Sequence, residues 1–272
     1  MTALLALVLS YVGLLVLLKL SENRLVFPVA PGGGGLAQAH AGLHPVRVET
    51  TTTDSATLAG WRMGDASDTT APWLLMFHGN GGDISHGGRQ EHYAALRALG
   101  LNLLTFDYRG YGESTGQPSE AGVYRDADAA YAYLRGTLGV PPARVLIFGH
   151  SLGSAVAVDL ASRVPSRGLI LEGALTSVPD VAQRTYFFLP VRLMARNRFA
   201  SADKVARVSV PKLFLHATAD EVIPYEFGKR LFELAPGPKR FVPLAGGHND
   251  AYAADSATYF GAVAAFLREL GP

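Results

Sequence analysis

A serine stands between two glycines in the stretch FGHSLGSAVA, residues 148–157, where two runs of different character meet. Before it, Val145-Leu146-Ile147-Phe148 is apolar and partly β-branched and reads as a strand buried on both faces. After it, Ser154 to Ala161 has the composition and apolar spacing of a helix. A chain passing from one to the other through Gly149-His150-Ser151-Leu152-Gly153 must turn sharply, and the glycines give strand and helix room to approach. The residue at the middle of that turn is held under strain, with its side chain clear of the sheet. Ser151 could there serve as a nucleophile, or it could merely cap the following helix. A serine hydroxyl attacks poorly until a base takes its proton, and the base needs a third group to hold its tautomer and stabilise its charge. Two loops offer candidates, Asp220 in HATADEVIP and His248 in PLAGGHND. The plain alternatives are a helix cap near Pro224 for Asp220 and a surface loop position for His248. Glu221, Asp250 and Asp255 are rival acids, with Glu221 predicted to point away from Asp220. His216, within its strand, and His150, within the turn, read as supporting residues.

These groups need elements to hold them. Residues 46–52 and 57–63 alternate about Thr53-Asp54-Ser55-Ala56 and predict an antiparallel hairpin. Aliphatic strands follow at 73–78, 101–106, 144–149, 168–172, 212–216 and 239–244. They alternate with helical patterns near 87–99, 119–138, after Ser151, and over 225–235 and 255–270. Such alternation predicts βαβ units around a mostly parallel sheet with helices on both faces. Active groups collect at the carboxyl ends of such strands, and Ser151, Asp220 and His248 each follow one. The glycine-rich FHGNGGDIS, 77–85, also follows a strand. It is neither G-x-G-x-x-G nor a P-loop with its lysine, so a nucleotide cradle is a weak reading.

Composition narrows the classes. The 272 residues are 49% hydrophobic and 17% charged, which fits one folded domain with a large core. A formal net charge of +1 argues against nucleic acid as a partner. The chain has no cysteine, and its 8 histidines form no H-E-x-x-H or H-x-H-x-D pattern, so no metal site is expected. Residues 1–18 carry no charged side chain. As a helix they would be about 27 Å long, against a hydrocarbon thickness of ~30 Å, with Lys19 free to snorkel. We expect an uncleaved anchor over residues 1–20. A cleaved signal peptide and a helix packed on the domain are the competing readings. Against cleavage, no Lys or Arg precedes the apolar run, and the small-x-small sites Ala37-Gln38-Ala39 and Ala39-His40-Ala41 lie far beyond it. Lys19 and Arg24 follow the run, which favours a cytoplasmic catalytic domain. Residues 21–43, with Pro28, Pro31 and Gly32 to Gly35, read as a tether to a catalytic domain over 44–272.

With these motifs assembled, the chain resembles the membrane-anchored serine α/β-hydrolase-domain family. That family includes lysophospholipase-like and monoacylglycerol-lipase-like esterases and protein depalmitoylases. The matching stretches are the G-x-S-x-G turn, FHGNGGD (77–83), DYRGYGESTGQPSEAGVYRDADAAYAYL (107–134), HATADEVIP (216–224) and GGHND (246–250). The family's chain order of serine, acid and histidine is also met. The resemblance implies an α/β-hydrolase fold without a cofactor, with Ser151 as nucleophile, His248 as base and Asp220 as its orienting acid. It implies oxyanion donors in the backbone N–H groups of Asn80 and Leu152. Ser154 and Ala217 depart from glycines common in the family, and neither belongs to the triad. Residues 178–207 lie where such proteins insert a lid. Tyr186, Phe187, Phe188, Leu189 and Met194 would give it an apolar surface, and Arg192, Arg196 and Arg198 a basic rim. That rim could meet anionic headgroups, or the segment could be a short excursion packed on the core. The expected activity is hydrolysis of carboxylic esters, with an acyl chain of lipid type and the bilayer as partner. Thioesterase or depalmitoylase and peptidase or amidase chemistry on the same residues stay open, as does a non-catalytic membrane-tethered scaffold.

Overall fold

The computed structural model describes residues 2–29 and 42–271; the small-x-small sites and the run Gly32 to Gly35 lie outside the described residues. Its strands are β1 (Val46–Thr51), β2 (Thr57–Met63), β3 (Trp73–Phe77), β4 (Asn102–Phe106), β5 (Val145–His150), β6 (Gly168–Glu172), β7 (Lys212–Ala217) and β8 (Lys239–Leu244). They form an 8-stranded sheet in the order β1-β2-β4-β3-β5-β6-β7-β8. β2 is antiparallel to β1 and β4, and the other neighbours are parallel. The chain steps from β3 outward to β4, then returns to place β5 on the opposite side of β3. The switch in winding direction therefore falls between β3 and β5, where open α/β sheets leave a crevice at their carboxyl ends.

The helices in this part of the chain are α2 (Gly87–Ala98), α3 (Glu120–Ala132), α4 (Leu152–Ala161), α7 (Tyr225–Leu234) and α9 (Ser256–Glu269). Alternate strand residues feed two cores. Leu75, Phe77, Val145 and Ile147 pack with Val123, Val156 and Leu231 of α3, α4 and α7. Leu74, Met76, Leu146 and Phe148 pack with Leu96 of α2 and Val263 of α9. This two-sided burial explains why the central strands are continuous apolar runs, without polar alternation. All 10 residues of α4 are buried. The segment 178–207 carries α5 (Val178–Thr185), α6 (Val191–Met194) and a short turn at Val205–Arg207. A further short helix, α8 (Ala251–Ala254), precedes α9.

Ahead of the sheet lies α1 (Thr2–Val26), long and apolar enough to cross a membrane, with no residue of it buried. It corrects one expectation. Residues 21–26, read as the start of the tether, continue the helix, and Phe27 is 3% exposed with its ring against Phe199. No breaker occurs between Ser21 and Val26, and the side chains of Glu22 and Asn23 find partners on the domain. The Glu22 carboxylate accepts the N–H groups of Arg196 (2.6 Å) and Asn197 (2.7 Å).

Candidate active site

β5 ends at His150 and α4 begins at Leu152, so Ser151 makes the turn alone, at φ 55° and ψ −123°. A positive φ at a residue with a side chain is strained and persists only where its surroundings enforce it. The enforcement is visible on both sides. A Cβ at Gly149 would lie 2.2 Å from the carbonyl oxygen of Gly153, and one at Gly153 would lie 2.1 Å from that of Phe77. Strand and helix thus touch backbone to backbone, while the Ser151 N–H donates to the Glu172 carbonyl at 3.0 Å.

The fold brings the sequence-predicted serine, acid and histidine together. His248 Nε2 is 2.8 Å from Ser151 Oγ, and His248 Nδ1 is 2.7 Å from Asp220 Oδ2. All three residues are buried or nearly so. The other Asp220 oxygen accepts N–H groups of Val222 (2.9 Å) and Ile223 (2.7 Å). Burial raises the pKa of the Asp220 carboxyl, but hydrogen bonds from His216, His248 and Ile223 outweigh it and hold the group well below the usual carboxylate range. An ionised Asp220 only accepts, so the proton of a neutral His248 ring sits on Nδ1. Nε2 is then left to accept from the Ser151 hydroxyl.

The neighbouring histidines and acids hold the two loops in place. Glu221 turns from Asp220 and accepts the His248 N–H at 3.2 Å. His216 Nε2 lies 2.9 Å from the Ile223 carbonyl and 3.4 Å from Asp220 Oδ2. His150 Nε2 is 3.1 Å from the His248 carbonyl. Burial, and then the adjacent His248 ring, push the His150 pKa down, keeping that ring neutral. Asp250 accepts from Gly247 N–H at 2.6 Å and Asp255 from Ala245 N–H at 3.2 Å, both within the loop after β8.

The glycine-rich loop after β3 abuts the serine: a Cβ at Gly79 would lie 3.2 Å from Ser151 Cβ. Tyr108 Oη donates to the His78 carbonyl and Tyr111 Oη to that of Asn80, each at 2.9 Å. These tyrosines belong to the DYRGYG stretch, which accounts for its place beside the site. Leu152 opens α4, where the helix dipole favours negative charge. Asn80, Ser151 and Leu152 line one cavity of about 630 Å³. Tyr186, Leu189 and Met194 of the 178–207 segment line it too, whereas Phe187 and Phe188 are exposed outside it. Arg192 pairs with Asp180 at 2.9 Å, and Arg196 and Arg198 are exposed. Among the described residues no cluster of His, Asp and Glu is arranged to hold a metal ion.

Two features escaped the sequence reading. Glu172 ends β6 inside the fold, accepts from Tyr259 Oη at 3.0 Å, and is pushed up to about 8 by burial and by the charge of Asp220. A lone carboxyl closing the apolar run GLILE was its only signal. The second is that Leu18, Glu22 and Leu25 of α1 also line the cavity. Nothing in an apolar helix pattern tells which domain surface it will cover.

A two-wound sheet with a strained serine at its switch point, linked to histidine and aspartate, defines an α/β hydrolase. Residues 72–210 match the family model described as alpha/beta hydrolase fold, and the chain belongs to that family. It is 38% identical over 269 residues to an uncharacterized protein of Mycobacterium tuberculosis, covering 98% of this chain and 94% of that protein. It is 35% identical over 219 residues to lysophosphatidylserine lipase ABHD12 of Danio rerio, covering 68% of this chain and 57% of the relative. The Pyrococcus furiosus esterase Pf2001 shares the fold at a TM-score of 0.70 and 19% identity, over 84% of this chain and 94% of that one.

Proposed function

We propose that the protein is a membrane-anchored serine hydrolase that cleaves carboxylic esters bearing a lipid-type acyl chain. Ser151 Oγ attacks the ester carbonyl while its proton passes to His248 Nε2. The carbonyl oxygen becomes an oxyanion, stabilised by the backbone N–H groups of Asn80 and Leu152. Asp220 stabilises the imidazolium, which then protonates the departing alcohol and leaves an acyl-enzyme. Water repeats the sequence through His248, releasing the carboxylic acid and restoring Ser151. The observation that carries this reading is the contact chain of 2.8 Å and 2.7 Å from Ser151 through His248 to Asp220. The apolar lining of the adjoining cavity supports an acyl chain as the group bound there, and the lipid ester named for the Danio rerio relative agrees with it. Helix α1 serves as the anchor, and Lys19 and Arg24 favour the cytoplasmic face.

A fluorophosphonate probe should label the full chain, and Ser151→Ala should abolish the labelling. Labelling that persists in the alanine variant would move the nucleophile elsewhere. Rates on acyl esters of graded length, beside a matched thioester and amide, identify the bond preferred.

A further inference from the structure

We propose that helix α1 is a wall of the acyl-binding pocket as well as an anchor, so that the acyl chain reaches Ser151 sideways from the bilayer, between α1 and the 178–207 lid. The inference rests on the ester-hydrolase reading above and adds the route and the residues that shape it. The cavity that holds Ser151, Asn80 and Leu152 runs out between two apolar surfaces. On one side stand Tyr186, Leu189 and Met194 of the lid; on the other stand Leu18, Leu25 and Val26 of α1.

Polar contacts bind these two surfaces together at the base of the pocket. Besides the two N–H groups held by Glu22, Asn197 Nδ2 donates to Asn23 Oδ1 at 2.8 Å, and Lys19 Nζ donates to the Met194 carbonyl. Asn80 Nδ2 donates to the Val26 carbonyl at 3.1 Å, which ties the end of α1 to the loop beside Ser151. Lys19, Glu22 and Asn23 of α1 thus meet the domain near residues 19–23, while Arg24 is exposed.

The outer end has a definite depth. Tyr11 Oη donates to the Phe188 carbonyl at 3.0 Å. At about 1.5 Å of rise per residue, Tyr11 lies roughly 12 Å along the helix from Lys19. The lid tip therefore stands beside the middle of the uncharged run 1–18. When α1 spans a hydrocarbon layer of ~30 Å with Lys19 at its boundary, the tip lies within that layer. The side chains there suit hydrocarbon: Phe187 is 81% and Phe188 57% exposed. The pocket mouth then opens to acyl chains and its floor, at Lys19, Glu22 and Asn197, to headgroups and water.

The test uses the full chain in proteoliposomes with palmitoyl and butyryl esters of one alcohol. Leu18→Trp and Leu25→Trp fill the pocket from the α1 side, and each should lower the palmitoyl-to-butyryl rate ratio by about tenfold. Leu7→Trp, on α1 but outside the cavity, should leave the ratio unchanged. Leu18→Ala, which removes bulk and adds no strain, should move the preferred acyl length upward. An unchanged ratio in the Leu18 and Leu25 variants, with wild-type activity present, overturns the α1 wall and leaves the hydrolase reading standing. Absence of both hydrolysis and fluorophosphonate labelling in the wild type defeats that reading instead. Phe188→Trp checks the route. The native Trp61 and Trp73 are 3% and 1% exposed, so the introduced indole reports the tip. Quenching by lipids brominated deep in the acyl chain supports lateral access, and quenching mainly by aqueous iodide overturns it.

Discussion

At the level of single residues, the contacts that hold the backbone of Ser151 are separate from the one its hydroxyl makes. Its backbone is fixed by the Glu172 carbonyl and the flanking glycines, while its hydroxyl meets only His248 among the hydrogen bonds of its side chain described above. His248→Ala should therefore lower turnover by on the order of ten-thousand-fold without unfolding the protein. His216→Ala and His150→Ala, which remove groups bonded to loop carbonyls, should cost far less in turnover. Steady-state rates on a soluble ester, beside melting curves, check this; a larger loss at His216 than at His248 would reassign the base. Glu172 gives a pH prediction. Its folded-state value of about 8 lies above the ordinary 4.5. Below about pH 4.5 both folded and unfolded chains hold the proton. Between about 4.5 and 8 the unfolded chain releases it while the folded chain keeps it, so the stabilisation is lost as pH rises, by up to about 1.4 kcal/mol per pH unit. Glu172→Gln should therefore gain stability relative to the wild type as pH rises from 5 to 8, seen as a melting temperature that falls less steeply with pH. Parallel melting curves for the two proteins across that window would count against a neutral Glu172.

Among the elements, the junction of β5 with α4 is the most constrained. The whole of α4 is buried, and its first turn lies against the end of β3 so closely that a Cβ at Gly153 meets the Phe77 and His78 carbonyls at 2.1 Å and 2.6 Å. Backbone cannot swing away as a flexible side chain can. Gly153→Ala should thus destabilise the fold by about 3 kcal/mol or more and displace Ser151. Chemical denaturation and fluorophosphonate labelling measure the two effects. Full labelling with normal stability would show that α4 has room to retreat. The β2–β4 side of the sheet works differently: Arg109, 6% exposed, bonds Asp126 Oδ1 at 2.9 Å and Asp54 at 2.8 Å and 2.9 Å. This fixes the DYRGYG loop whose tyrosines hold the glycine-rich loop after β3.

For the whole molecule, α1 links the proposed anchor to the proposed pocket. Its apolar face is unburied, while residues 19–27 are joined to the lid and to Asn80. The full protein should stay with membranes through an alkaline carbonate wash and be released by detergent, with an intact amino terminus by mass spectrometry. A mature chain beginning near residue 40 would end the anchor proposal, and with it the source of the pocket wall.

Much of this was legible in the chain before folding was considered. Apolar runs without polar alternation announce strands covered on both faces, because a parallel sheet has no wet side to record. The turn at Ser151 was legible because only glycine tolerates the backbone contacts made by residues 149 and 153, so the constraint leaves its mark on residue type. The loops carrying Asp220 and His248 were legible because each follows a strand, and a parallel sheet leaves its crevice at the carboxyl ends of its strands. Other features depend on pairing between distant segments, and local composition holds no trace of them. Glu22 looks like the polar end of an anchor until Arg196 and Asn197 present their N–H groups to it. Phe187 and Leu189 look alike in sequence, yet one is 81% exposed and the other 8%, because α1 and the lid enclose only one side of that turn. Residue type sets what each group can do; which partner it meets was decided by the packing of α1 and the lid over the crevice between β3 and β5.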